Sequence, residues 1–227
     1  VFDYYDDKLS AEKLRRVYDV APQRVQQYLH AEIQHVLFRI HPGDTVLELG
    51  CGFGRILEWL VDRAGMVVGI DTSLASLKLA HETLSHAGNC HLLCMDATRM
   101  GFLDRTFDVV VCVQNGISAF HVDPRNLIEE AVRVTRPGGR VTFSSYSEKF
   151  WPHRLKWFEV QANLGLLGEI DYDRTGDGQI VCKDGFTATT VTPEQFRRLT
   201  RDLNAVTRVF EVDESSVFCE ISPGPFD

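Results

Sequence analysis

No stretch of this sequence stays apolar for the ~20 residues that a membrane-spanning helix requires, so no such helix is expected within it. Clusters of basic residues are also missing. Twenty-four Lys and Arg stand against 32 Asp and Glu, a net charge of -8, and a surface tracking nucleic-acid phosphates would have to work against that field. The amino end, VFDYYDDKLSAEK, lacks the basic-then-apolar order of a secretory leader and the arginine-rich character of a transit peptide. A soluble cytoplasmic protein is the expectation. There is no internal repeat and no low-complexity stretch. Six cysteines, at 51, 90, 94, 112, 182 and 219, are expected as reduced thiols in a chain without an export signal. Cys90 and Cys94 have a ligand-like spacing, but four residues of extended strand span ~13 Å, too far for one tetrahedral ion. No metal is expected.

What is present is ordinary globular material: 227 residues, 44% hydrophobic and 25% charged, enough for one domain with a sizeable core. Residues 9–40 carry Leu14, Val17, Val25, Leu29, Ile33, Val36 and Leu37 at helical spacing, with Pro22 opening a second segment. After the turn cluster His41-Pro42-Gly43-Asp44, strands and helices alternate. TVLELG precedes a helix over 53–64, MVVGID one over 73–87, and CHLLCM follows; FDVVVCV precedes a helix over 124–135, and GRVTFSSY closes the series. Near-continuous apolar strands alternating with helices predict a parallel sheet covered on both faces. Beyond Tyr146 come an aromatic helix over 148–165, firmly started near Pro152, and an antiparallel excursion with turns at 176–178 and 183–185. A helix capped by Thr192 and a hairpin turning at Asp213-Glu214 end the chain.

Glu48-Leu49-Gly50-Cys51-Gly52-Phe53-Gly54 lies where a strand feeds a helix. Glycines there permit a tight turn and close approach of backbone amides to a ligand. The alternative is a glycine-rich turn that holds nothing. A dinucleotide fingerprint needs its third glycine at position 55, where Arg55 stands, and no Gly-Lys-Ser/Thr follows as in a phosphate-binding P-loop. Asp71 closes the second strand about 20 residues on, placed to accept from ribose hydroxyls, to cap the next helix, or both.

In order and spacing, VLELGCGFGR, VVGIDTS, MDATRMGF, FDVVVCVQNG and RPGGRVTFSSY resemble the motifs of class I S-adenosylmethionine-dependent methyltransferases, over residues 44–146. The resemblance implies an α/β fold, a doubly wound seven-stranded sheet that is mostly parallel with its last strand antiparallel. The chain then divides into an N-terminal helical lid segment (1–43), a cofactor-binding core (44–146), a substrate-cover insertion (147–192) and a closing helix and hairpin (193–227). It places Gly50, Cys51 and Gly52 at the methionine end of S-adenosylmethionine, with Glu48 beside them. Asp71 and Thr72 fall at the ribose, Asp96 and Ala97 at the adenine, and Gln114 beneath the sulfonium. A sulfonium is already activated, so alignment of a nucleophile with the methyl carbon is the expected source of rate.

Acceptor contacts are expected outside the carboxyl ends of the strands. Asn115 offers a donor and an acceptor beside the methyl group, and similar asparagines occur in glycine N-methyltransferase-like enzymes; shaping the turn before Gly116 is its other reading. His121 can take a proton near neutral pH, or be a surface residue. Tyr146 and Trp151, with Phe150, His153 and Trp157, line a pocket or pack as core. Tyr5, with Phe2 and Tyr4, either folds over the cofactor as a lid or belongs to a terminal segment that packs on nothing. Cys182 and Cys219 raise a thiolate reading with a metalloid acceptor. The expectation is methyl transfer to N, O or S of a small molecule by a monomer or homodimer, yielding S-adenosylhomocysteine. A protein or RNA methyltransferase and a non-catalytic sensor are the alternatives.

Overall fold

The computed structural model of the chain describes Tyr4 and residues 8–225. Two helices, α1 (Ala11–Asp19) and α2 (Gln23–Leu37), are divided at Pro22, which caps α2. They bury Val17, Val25, Leu29, Ile33, Val36 and Leu37, as the periodicity requires. Unexpectedly for a charged helix residue, α2 also buries Glu32 completely, one turn beyond the equally buried Tyr28.

The core alternates β1 (Thr45–Leu49), α3 (Leu57–Leu60), β2 (Met66–Asp71), α4 (Leu74–Thr83), β3 (Cys90–Cys94), β4 (Phe107–Cys112), α5 (Gly116–Ala119), α6 (Pro124–Val134) and β5 (Thr135–Tyr146). These five strands pair in parallel. A hairpin of β8 (Ala205–Val212) and β9 (Ser216–Pro223) adds antiparallel to β5, giving the order β3-β2-β1-β4-β5-β9-β8. The expected doubly wound, mostly parallel seven-stranded sheet is therefore present. Alternation along β4 sends Val110 and Cys112 into a core with Leu127, Ile128 and Ala131 of α6, and Val109 and Val111 into one with Ile33, Val36 and Leu57.

The helix predicted over 53–64 contracts to the single turn α3. Gly52 and Gly54 hold φ of +53° and +87°, so the chain winds as turns before becoming helical. β5 starts at Thr135, earlier than the predicted 139, behind an irregularity opposite Phe107. After it, a 3-10 turn at Glu148–Phe150 leads into α7 (Trp151–Asn163), and a short ladder joins β6 (Ile180–Val181) to β7 (Thr187–Ala188). Thr192 and Gln195 cap α8 (Pro193–Thr200) reciprocally. The hairpin turns at Asp213 and Glu214, both left-handed at φ +56° and +50°, and Arg24 of α2 bonds the Asp213 carboxylate at 2.8 Å.

The N-terminal helices and the insertion share a third core. Val25 and Tyr28 meet Tyr146, Phe150, Trp157 and Phe186 there, and the Trp157 indole donates to the Val17 carbonyl at 3.0 Å. Tyr4 donates to the Asp184 carboxylate at 2.6 Å, fastening the amino end to the insertion. No helix among the described residues is long and apolar enough to cross a membrane.

Candidate functional site

The strand order reverses between β1 and β4, and in such sheets the crevice beyond their carboxyl ends receives ligands. The chain leaves β1 at Gly50 with φ +70°, and a Cβ there would meet the Phe120 ring at 3.0 Å. The amides of Gly50 and Cys51 donate to the Ile70 carbonyl at 2.9 and 3.0 Å. Asp71 then clamps the turn: one carboxylate oxygen accepts from the Gly52 amide and the other from the Ser73 amide, both at 2.8 Å.

A cavity of about 300 Å³ opens over this turn. Of the residues assigned to the cofactor, Glu48, Gly50, Cys51, Gly52, Asp71, Thr72, Asp96 and Gln114 lie on its wall, while Ala97 is buried outside it. Leu9, Leu14 and Tyr18 close one side and Ala119, Phe120 and Val122 the other. Across the crevice from β4 to β3, the polar groups run Gln114, Glu48 with Arg55, Asp71, Asp96. Glu48 is buried, its Oε2 has no hydrogen-bond partner, and burial pushes its carboxyl up to about 8, with the Arg55 charge opposing. The Nη2 of Arg55 and the Nε2 of Gln114 are likewise buried without partners. The Arg55 guanidinium lies 4.6 Å from the centre of the Tyr18 ring. Asp96 accepts from the amide and hydroxyl of Thr98 at 2.8 and 2.7 Å.

Buried polar groups without partners call for a ligand, water or strain to explain them. Here a carboxylate and a guanidinium at one end match an ammonium and a carboxylate, while Asp71 and Asp96 at the other match hydroxyl and amine donors. The residues present therefore fit S-adenosylmethionine, an amino acid joined to a nucleoside. Sequence reasoning treated Arg55 only as an absent glycine and missed Phe120. The signals were a cation just after the third glycine and an aromatic shortly after β4.

The acceptor-side residues do not gather as one wall. Asn115, at φ +60°, spends both ends of its amide: Nδ2 donates to the Thr189 carbonyl at 2.8 Å, and Oδ1 accepts from the Ser145 hydroxyl at 2.7 Å. Ser145 in turn accepts from the Val191 amide at 2.8 Å. Asn115 thus ties the turn after β4 to the chain leaving β7. Replacing it with alanine leaves the Thr189 carbonyl only the longer bond from Arg154, at 3.4 Å, and takes the acceptor from the Ser145 hydroxyl, and a loss of about 1–3 kcal/mol in urea unfolding is expected. An unchanged midpoint would show that the clamp carries no stability.

Tyr146 is buried, its ring 5.4 Å from Tyr28 and 6.2 Å from a stacked Phe150, with the Arg154 guanidinium 4.4 Å from its centre. Burial raises its hydroxyl well above the usual range, with the Arg154 charge opposing. Trp151 is half-buried on the same arginine at 5.7 Å. His121 is exposed, at φ +50°, and off the cavity wall. Tyr5 and Phe2 lie outside the described residues. Cys182 and Cys219 sit in separate cores, beneath the insertion and within the sheet.

Residues 46–139 match a family model described as a methyltransferase domain. The malonyl-[acyl-carrier protein] O-methyltransferase of Marinomonas sp. is 33% identical over 159 residues, covering 64% of this chain and 56% of that protein. The demethylmenaquinone methyltransferase of Corynebacterium urealyticum is 34% identical over 111 residues, covering 49% and 45%. The chain thus spans about half the length of these curated relatives. A SAM-dependent methyltransferase of Methanosarcina mazei superposes with a TM-score of 0.63 at 20% identity, over 84% of this chain and 98% of that one. The N-methyltransferase NodS of Bradyrhizobium japonicum, in complex with S-adenosylhomocysteine, does so at 0.61 and 16% identity, over 96% and 100%. At such identities the likeness is one of fold.

Proposed function

We propose that this chain, whose residues 46–139 match a methyltransferase domain, is a class I S-adenosylmethionine-dependent methyltransferase that transfers a methyl group from S-adenosylmethionine to an N, O or S atom of a small-molecule acceptor. The observation that supports this reading is the run of buried, unpartnered polar atoms on Glu48, Arg55 and Gln114, continued by Asp71 and Asp96 along one crevice. In this reading Arg55 pairs the cofactor's carboxylate, Glu48 its ammonium, Asp71 its ribose and Asp96 its adenine. The bound sulfonium supplies an activated methyl group. The protein's part is to hold it rigidly, exclude water and present the acceptor in line. Leu9, Leu14 and Tyr18 serve the exclusion. The curated relatives' names, malonyl-carrier and demethylmenaquinone methyltransferases, favour metabolite-sized acceptors or acceptor groups, as does the net charge of -8.

Equilibrium dialysis with S-adenosylmethionine and S-adenosylhomocysteine tests the cofactor site directly, and failure of folded protein to take up either rejects it. Labelled donor with a metabolite extract then separates a transferase from a sensor, since a sensor releases no S-adenosylhomocysteine above background. His121→Ala is expected to leave that release within about twofold, as befits an exposed side chain off the cavity wall. A fall of about 10²–10⁴ would instead bring His121 to the reacting atoms as a general base.

A further inference from the structure

Seven buried side-chain atoms that lack a hydrogen-bond partner among the described residues belong to one neighbourhood: one each on Tyr28, Glu48, Arg55, Gln114 and Ser216, and both carboxylate oxygens of Glu32. Glu48, Arg55 and Gln114 are explained by the cofactor reading. Glu32 is not, because it lies behind the cavity wall. It projects from α2 into the junction of β5 and β9, where Ser144 and Ser216 face it; Ser216 is the register partner of Tyr146. Ser144 accepts from the Gln114 amide at 2.8 Å, so Glu32 stands one residue removed from the cavity lining.

Three tyrosines stand around Glu32, and one of them, Tyr18, is on the cavity wall. Tyr28 precedes Glu32 by one helical turn on the same face of α2, packs on Tyr146, and has its hydroxyl within reach of both Glu32 and Tyr146 without a bond of good geometry. Tyr18 of α1 lines the cavity itself and lies within electrostatic reach of Tyr28 and Tyr146. Arg55 and Arg154 border the cluster, Arg55 on the Tyr18 ring and Arg154 on the Tyr146 ring. The titratable and charged groups facing Glu32 are thus Tyr18 from α1, Tyr28 from its own helix, Arg55 after β1, Cys112 from β4 and Tyr146 from β5. Among the described residues no cation pairs with it closely. A carboxyl so placed is a poor structural element, since an apolar side chain would pack there at less cost.

We propose that Glu32 is the terminal proton acceptor of a buried tyrosine relay, and that the methyl acceptor is therefore protic, an N–H or O–H group rather than a carboxylate already ionised. The inference rests on the proposed methyl transfer. As the acceptor's lone pair forms the new bond to the methyl carbon, the pair of the broken carbon–sulfur bond returns to sulfur. The acceptor's surplus proton passes through the tyrosine hydroxyls to the Glu32 carboxylate, which later releases it to water. Glu32 acts through Tyr28 and does not touch the acceptor. Burial, eased by Ser144, Ser216 and Arg55, holds the Glu32 carboxyl at about 7, where it can both take and return a proton near neutrality.

The test uses Glu32→Gln, which keeps shape and removes the proton site, with S-adenosylhomocysteine binding as control. Binding within twofold of wild type shows that the cofactor site survives; absence of binding in wild type sinks the methyltransferase reading and not this step. With primary amines, phenols and carboxylates as acceptors, turnover should be confined to protic groups and rise through a limb near pH 7. Glu32→Gln should lose that limb and about 10² in kcat with KM within threefold, and Glu32→Asp should restore part of it. Tyr28→Phe, should Glu32→Gln not fold, breaks the same relay and should lose the same limb. Wild-type kcat and pH profile in these variants, or turnover of carboxylates alone, overturns the proposal. Independently of any acceptor, the ¹³C carboxyl resonance of Glu32 in protein saturated with S-adenosylhomocysteine should titrate near 7; a carboxyl proton that stays through pH 9, or is gone at pH 5, refutes it.

Discussion

Replacing Asp71 with alanine is expected to weaken S-adenosylhomocysteine binding by about ten- to a hundredfold, the 1.5–3 kcal/mol of a hydrogen bond to a charged group. The effect has two sources in the structure. One is loss of the carboxylate capacity proposed for the ribose. The other is release of the Gly52 and Ser73 amides, both at 2.8 Å, which hold the glycine turn against the start of α4. Asp71→Asn separates them, because an amide group retains one acceptor for the backbone while presenting a donor elsewhere. It should fall between wild type and alanine. Calorimetric titration of variants with wild-type circular dichroism reads the difference, and undiminished affinity in Asp71→Ala rejects the ribose assignment.

Glu48→Gln is expected to make the unliganded protein more stable in alkali and no different in acid. The folded state holds the Glu48 carboxyl proton up to about 8, whereas an unfolded chain gives it up near the usual 4.5. Between those values the folded state binds the extra proton, so stability falls as pH rises from 4.5 and levels off above 8. Glutamine does not titrate. The advantage of the variant therefore grows across that window to on the order of 4 kcal/mol at pH 8.5, and vanishes at pH 4. Thermal melts at both pH values measure it, and parallel curves for the two proteins contradict it. At pH 8.5 the same substitution should weaken cofactor binding, because an ammonium then loses its carboxylate. Stability and binding moving in opposite directions is the signature of a group kept for its ligand.

The parts of the site readable in sequence are those whose chemistry is local. Gly50, Gly52 and Asp71 sit at fixed offsets around one strand-turn-helix unit, and strand apolarity alone aligned β1, β2, β4 and β5. Glu32 and Arg154 were illegible for the opposite reason. A charged residue on a helix defaults to solvent, and what buries these two is the meeting of α2 and α7 with the end of β5, more than a hundred residues from Glu32. Asn115 was visible as a polar residue beside the crevice, but its commitment to Thr189 and Ser145 depends on how the insertion returns. The shortened α3 shows a local limit: glycines that license a turn also delay the helix behind it.

The Asn115 clamp has an evolutionary corollary. The stretch from 178 to 189 is held in part through its backbone: Arg154 of α7 grips the carbonyls of Gly178 and Ala188, and Asn115, in the turn after β4, that of Thr189. Carbonyls are the same in every amino acid, so these three bonds are blind to the side chains of the residues that make them. A lineage keeping Arg154, Asn115 and the buried Ile170, Ile180 and Phe186 is free to exchange the exposed residues between them while the glycine turn after β1 stays fixed.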